Sequence, residues 1–334
     1  MAATLKDVAE RAGVSRSAVS RTFTDGASVS EKMRKKVLRA ADELGYSPNF
    51  LARSLTTRRT KLIGLVSANF HNPFFLQVFD LFTRGLQDIG LRPLLVNLSD
   101  ETDPENSVQM LRQYSVDGVV VASSTLPPAF AKTFRDAGVP VVHAFGRHTT
   151  APKVHVVGID NVECGRMVAR VLAERGYRNV AFLGGPESAT STQDRLQGFE
   201  EELAKHPTVT HSVTYAQSYT FQAGRAEMLR LIHDGAPMAE AYFCGDDVLS
   251  IGVLSALESA GKRVPEDVGI IGLNDMEMSG WENINLTTVR QPIQQIVSST
   301  LELMVAMLED PDRYPEARLF PCTLTERGTL RPKK

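Results

Sequence analysis

The chain is poor in cysteine and tryptophan, with three of the first and one of the second among 334 residues. Cys164, Cys244 and Cys322 stand far apart in sequence. No pair has zinc-ligand spacing, and an odd number argues against a disulfide framework. Reduced thiols fit a cytoplasmic protein. Long apolar runs are missing too. None reaches the roughly 18 residues that span a bilayer. Charges in MAATLKDVAE occupy the place of a signal peptide's apolar core, so neither membrane insertion nor secretion is expected. The common signatures of catalysis are absent: no G-x-x-x-x-G-K-[ST], no H-E-x-x-H, no G-x-S-x-G. Gly184-Gly185-Pro186 lacks dinucleotide spacing, and none of the seven histidines stands at metal spacing from another His or Cys. The reading is no enzyme, no metal and no cofactor, with His71 and His143 the two histidines to watch.

What is present is uneven. Residues 1–60 carry 12 Lys and Arg against 6 Asp and Glu, a net of +6, while the rest of the chain carries 25 against 33. A basic head on an acidic body suggests a polyanion partner for the head alone. Within the head, TLKDVAERAGVSRSAVSRTF reads as two short helices around a turn at Gly13, where glycine takes positive φ without penalty. Ser15 can N-cap the second helix, and Val19 turns back onto the first. Left outward are Arg16, Ser17, Ser20 and Arg21, a surface suited to phosphates and base edges. A third helix follows Ser30. Met33, Val37, Ala41 and Leu44 should close a small core, while Lys32, Arg34, Lys35, Lys36 and Arg39 form a largely solvated face from which one or two can reach phosphate. Residues 49–56, NFLARSLT, bury little and read as a marginal helix or linker.

From Lys61 short apolar runs alternate with helical stretches, the pattern of a parallel sheet covered on both faces. KLIGLVS, RPLLVNL, GVVVAS and VPVVHAF form one series; VHVVGID, NVAFLGG, VTYAQS, EAYFCG and VGIIGLND form a second. Two similar α/β lobes are expected, with a strand at 286–290, a helix at 293–308 and a short strand near Cys322 returning to complete them. A cleft between lobes, at the carboxyl ends of parallel strands, is a ligand site. The candidates lining it are Phe75, Ser123, Arg147, Asp160, Arg195, Tyr219, Asp246 and Asn274. Such a set suits a hydroxylated small molecule, with amides and carboxylates on hydroxyls and rings against C–H faces. Asp160, Asp246 and Asp275 are also well placed simply to cap helices.

The head motif, ARSL at 52–55, GIDN at 158–161, ERGYRNVAFLGGP at 174–186, DRLQGF at 194–199, RVPEDVGIIG at 263–272 and LTTVRQP at 286–292 together resemble the lactose-repressor/galactose-repressor family. The likeness covers essentially the whole chain. It implies an all-α helix-turn-helix head plus hinge helix, joined to a two-lobed α/β periplasmic-binding-protein-like (type I) body with parallel sheets. The implied domains are a head at 1–48, a hinge helix and linker at 49–60, and an effector-binding and dimerisation body at 61–334. The body's N-lobe takes about 61–160 and 291–320, its C-lobe about 161–290 and 321–334. The implied partners are a near-palindromic double-stranded DNA operator, a small-molecule effector and a second copy of the chain. Arg16, Ser17 and Arg21 match the family's base-reading positions, with Thr4, Leu5, Ser15, Ser20 and Asn49 beside them. Leu55 matches its minor-groove wedge and Ala52 the neighbour of that wedge. Arg195 matches its effector-binding arginine. Asn274 and Asp246-Asp247 depart from the common pattern, so effector specificity does not carry over. A sugar or sugar derivative is expected, with room for an acid or phosphate beside Arg195 and Arg147. Repression is the expected sense, with activation, dual regulation or a non-sugar corepressor as alternatives. The end at Arg331-Pro332-Lys333-Lys334 lacks a leucine heptad, so a dimer and not a tail-driven tetramer is expected.

Overall fold

The computed structural model describes residues 3–24, 27–47, 59–68, 70–98 and 104–333. The chain divides into two compact units, Met1–Thr60 and Lys61–Lys334. The first contains helices α1 (Leu5–Ala12), α2 (Arg16–Thr22) and α3 (Glu31–Glu43). Each begins on a side-chain cap. Thr4 and Asp7 form a reciprocal capping box on α1, Ser15 accepts from the Ala18 amide, and Ser30 accepts from the Met33 amide. Each such cap contributes about 1 kcal/mol. Gly13 ends α1 at φ 60°, reversing the chain in three residues. Val8, Ala9, Ala12, Val19, Val37, Ala40 and Ala41 form the core. Leu44, expected in that core, is exposed; it is the C-cap of α3, where Gly45 at φ 61° turns the chain away. Ala40, one turn earlier, faces inward instead.

The body opens with β1 (Leu62–Ser67), α4 (Pro73–Asp88), β2 (Arg92–Asn97), α5 (Pro104–Gln113), β3 (Gly118–Ala122), α6 (Pro128–Asp136), β4 (Val141–Ala144) and β5 (His155–Ile159). A second series follows: α7 (Asn161–Glu174), β6 (Asn179–Gly184), α8 (Thr190–Leu203), β7 (Thr210–Tyr215), α9 (Phe221–His233), β8 (Ala241–Cys244), α10 (Asp247–Ser259), β9 (Gly269–Asn274) and β10 (Thr288–Arg290). Then come α11 (Ile293–Glu309), β11 (Ala317–Phe320) and β12 (Thr323–Thr325). Two six-stranded sheets result, in the orders β11-β5-β4-β3-β1-β2 and β12-β10-β9-β8-β6-β7. All pairings are parallel except β10 with β12. The central strands β3, β5, β8 and β9 are buried throughout, which their unbroken apolar runs require when helices cover both faces.

The chain passes between the lobes three times, at residue 160, at 291–292 and at 321–322. The sequence predicts one short strand near Cys322, but there are two, one in each sheet, and Cys322 lies in the passage between them. Pro321 has no amide proton to offer a ladder, which breaks the extended run there. The loops that follow β1, β3, β4 and β8 carry the polar groups that meet across the lobes.

Candidate effector cleft and nucleic-acid interface

On the head, Ala18, Val19 and Thr22 of α2 turn inward while Arg16, Ser17, Ser20 and Arg21 are exposed. The Thr4 and Ser15 hydroxyls serve as caps, and the Ser15 and Ser17 hydroxyls share a 2.9 Å hydrogen bond. Leu5 packs partly buried on the core. Three of the five basic side chains of α3 have structural partners. Arg34 donates to the Thr22 carbonyl at 3.1 Å, Arg39 pairs with Glu43 and Lys35 with Glu31. Asn49, Ala52 and Leu55 lie outside the described residues.

In the body, two glycines set the position of the key arginine. A Cβ on Gly165 would stand 2.1 Å from the Arg195 carbonyl, and one on Gly198 1.8 Å from the Val162 carbonyl. With hydrogen there, α7 and α8 cross at close range, and Arg195 on α8 reaches Asn161 at the start of α7. Its Nε donates to Asn161 Oδ1 at 2.8 Å and its Nη1 to the Gly245 carbonyl at 2.7 Å. Arg195 is 3% exposed, so both bonds form away from bulk water.

Asp246 follows Gly245 and is buried. It caps α10 through the Leu249 amide at 2.8 Å, and it accepts from Asn72 Nδ2 at 2.6 Å across the cleft. Burial raises its carboxyl above the ordinary range, against these hydrogen bonds and the Arg195 charge. Asn72 uses its other atom to cap α4, accepting from the Phe74 amide at 3.0 Å. A second bridge joins Arg147, after β4, to Asp194 on α8 at 2.7 Å, with Thr190 and Gln193 also accepting from it. A third joins the Ser124 carbonyl to the Thr190 hydroxyl and the Ser191 amide. The lobes therefore meet through direct polar contacts.

The cleft walls are apolar and partly strained. Phe74 and Phe75 pack edge-on against Phe145, with centroids 5.6 and 6.1 Å away. Phe145 holds φ 64° and Asn274 holds φ 120°. Such conformations cost roughly 1–3 kcal/mol and collect at ligand clamps. Asn274 is buried and accepts from Gln291 Nε2 at 2.6 Å, joining β9 to a lobe passage. Tyr219 bonds Thr192 at 2.7 Å, and its ring fills the space a Cβ on Gly185 would need, which accounts for the Gly184-Gly185 pair without a phosphate.

Ser123 and Asp160 are more local. The Ser123 hydroxyl accepts from the Thr125 and Leu126 amides, and Asp160 caps α7 through Glu163. Of the two watched histidines, His71 is exposed, while His143 is fully buried, donates from Nε2 to the Ser123 carbonyl at 3.0 Å, and is held neutral by burial with a pKa of about 4. The structure thus places Arg195 and Asp246 on one cross-lobe path with Asn161 and Asn72, and Arg147 on another with Thr190, Gln193 and Asp194, while Tyr219 bonds Thr192 within its own lobe. It adds Asn161, Thr192, Asp194 and Gln291, which were not among the candidates, and Asn72, which the sequence places among the polar residues after the first strand. Only Asn72 carried a local signal, as the cap before Pro73.

Comparison with known proteins bears on both regions. Residues 4–49 match the family described as bacterial regulatory proteins, lacI family, and residues 169–330 match the periplasmic binding protein-like domain. The HTH-type transcriptional regulator CelR of Thermobifida fusca is 33% identical over 90% of this chain and 91% of its own. The ribose operon repressor of Halalkalibacterium halodurans is 30% identical over 98% and 97%. A solved complex of CelR with cellobiose superposes at a TM-score of 0.72, 30% identical over 98% of this chain and 99% of its own. The lac repressor dimer bound to operator and an anti-inducer superposes at 0.88, covering 99% of this chain and all of its own at 24% identity, a likeness of fold.

Proposed function

This chain belongs to the lacI family of bacterial regulatory proteins, and from that we infer that it is an operator-specific repressor whose DNA affinity is set by a sugar or sugar derivative held between the lobes. That it is a DNA-binding transcriptional regulator and not an enzyme follows from the family; the sense of regulation and the effector are the inference. The observation that carries it is the buried path Asn161–Arg195–Gly245–Asp246–Asn72, which spans the cleft at the strand ends. A ligand hydroxyl entering there can replace the Asn72–Asp246 bond or extend it, and either changes the energy of lobe closure. The effector acts only through its different affinity for the two lobe arrangements. CelR's solved complex holds cellobiose, which supports a carbohydrate here; the paired Arg147 and Arg195 leave an acid or phosphate derivative open.

In this reading the head (1–48) inserts α2 into the major groove, with Arg16, Ser17 and Arg21 on base edges and Thr4, Leu5, Ser15 and Ser20 beside the backbone. The hinge (49–60) places Asn49, Ala52 and Leu55 over the operator centre, where Leu55 wedges a step open. The body (61–334) forms a two-fold dimer, so the operator is a near-palindrome. The protein works in the cytoplasm, where that DNA is. Among the described residues no helix is long and apolar enough to cross a membrane.

The test is a thermal-shift screen of sugars, sugar acids and sugar phosphates, followed by operator binding with each hit. A sugar that stabilises the body and releases the operator supports the reading. Stabilisation only by nucleobases, or none that changes operator affinity, overturns it.

A further inference from the structure

The carboxyl end of β4 leads to Arg147 and the lobe contact. At the amino ends of β4 and β5 lies a separate cavity of about 240 Å³. Its lining includes Arg135 of α6, Val141 and His155 at the starts of the two strands, Met307 of α11, and Asp312 and Arg313 in the loop before β11. Side chains alternate along β5. Val154 and Val156 pack with Phe134 of α6, so His155 turns to the other face, where Val157 and Met307 belong to the core. His155 is 1% exposed. The Glu316 amide donates to its Nδ1 at 3.3 Å, which places the ring proton on Nε2. That Nε2–H has no acceptor among the described residues. Buried donors are rarely left so, and this one calls for an acceptor. Burial holds the imidazole below its ordinary pKa; Glu316 opposes this, and Arg313, Arg318 and Arg135 add to it. The ring is thus a neutral donor in a positive setting.

Two of those arginines are loosely committed. Arg135 donates from Nη1 to the Lys153 carbonyl, and its other N–H groups have no acceptor among the described residues. Arg313 stands 3.8 Å from Glu316, a carboxylate that Arg318 already holds at 2.7 Å. Arg318 is further engaged by Ser299 and Glu302. Asp312 is the one acid among the described lining residues.

We propose that this cavity is a second small-molecule site, for a phosphate group, with the His155 Nε2–H donating to one oxygen from the floor and the Arg135 and Arg313 guanidinium groups closing on the others from the rim. Guanidinium forks match phosphate oxygens in pairs. Sites for drug-sized ligands enclose about 300–1,000 Å³; this smaller one fits a phosphate ion or the phosphoryl end of a small ester. A phosphate held there ties α6 and β5 to the loop that leads into β11, the strand before the third lobe passage. The site does not depend on the effector reading, since it lies at the opposite ends of the strands from the cleft.

The experiment titrates the full-length protein with inorganic phosphate by calorimetry, at an ionic strength held constant with chloride, because salt screens exposed charges. Glycerol 3-phosphate is the second probe. Saturable binding of one phosphate per chain is expected. Arg135→Met and Arg313→Met, both at exposed positions, should each weaken it about tenfold. Arg313→Glu should abolish it, and Asp312→Asn should strengthen it about threefold. His155→Phe keeps a ring but removes the floor donor, and should weaken binding about tenfold; if that variant fails to fold, the two rim arginines decide. Arg195→Ala should bind phosphate as the wild type does. Preference for glycerol 3-phosphate identifies an ester as the ligand, and preference for inorganic phosphate identifies the free ion. No saturable binding of either probe overturns the site. So does binding that survives both rim substitutions, or that is lost in Arg195→Ala, because the phosphate then sits on the head or in the cleft.

Discussion

Asn72 of one lobe donates a 2.6 Å hydrogen bond to buried Asp246 of the other, while its carbonyl oxygen caps α4. One amide therefore anchors a helix and latches the cleft. Asn72→Ser separates the two tasks, because serine caps a helix nearly as well as asparagine but is too short to reach Asp246. Thermal stability should fall by about 1–3 kcal/mol from the lost bond to Asp246 and by little from the cap. Effector affinity by calorimetry should fall about tenfold, since a buried carboxylate loses a partner. Unchanged affinity would make the contact incidental.

Arg195→Ala should abolish the effector response and leave operator affinity in the absence of effector within about twofold. The arginine contacts only body residues, Asn161 and Gly245. Anisotropy with labelled operator reads both. A normal response in this variant would move the effector elsewhere.

Exchanging Arg16 and Ser17 should change the preferred half-site, because both are exposed on the outward face of α2. Each lost base contact costs about 1–3 kcal/mol. Selection from random duplexes should return a different consensus for the exchanged protein. The same consensus with uniformly lower affinity would assign these residues to phosphate.

Leu55→Ala should weaken the operator complex far more than binding to unrelated DNA, since a wedge acts only where a step opens. Equal losses on both DNAs would remove the wedge.

Asp247 gives a pH test. Its carboxylate is fully buried and accepts from the Met276 amide, Ser279 and Thr288, and burial raises its pKa from 3.8 to about 6. The folded state holds this proton more tightly than the unfolded chain. Its contribution is therefore complete below about pH 4 and is lost as pH rises through about 6. Asp247→Asn carries no such proton. From pH 4 to 7 the variant should gain on the wild type by roughly 3 kcal/mol at most, read by denaturant unfolding. A constant difference across that range would show that Asp247 is ionised throughout.

The alternation of strands and helices was legible because parallel sheets write long apolar runs at regular spacing. Tyr219 and Asp246 could be placed by the cleft because they follow strands, whereas Arg195 lies on a helix and came from the family resemblance. The latch itself was not. Asn72 and Asp246 are 174 residues apart, and Arg147 and Asp194 are 47 apart. Nothing local couples such pairs until two sheets face each other. Leu44 misled for the opposite reason: its spacing fits the helix, but the helix ends there. The two strands around Cys322 read as one in the sequence because both are short and only one residue pair separates them, although they belong to different lobes.

Under the proposed function a ligand in the cleft sets operator affinity. The direct measurement is a titration of the full-length protein on its selected operator, with and without a saturating sugar found by thermal shift. The expected result is a change in Kd of about tenfold or more, lost in Arg195→Ala. A sugar that binds the wild type by calorimetry yet leaves its operator Kd unchanged would contradict it.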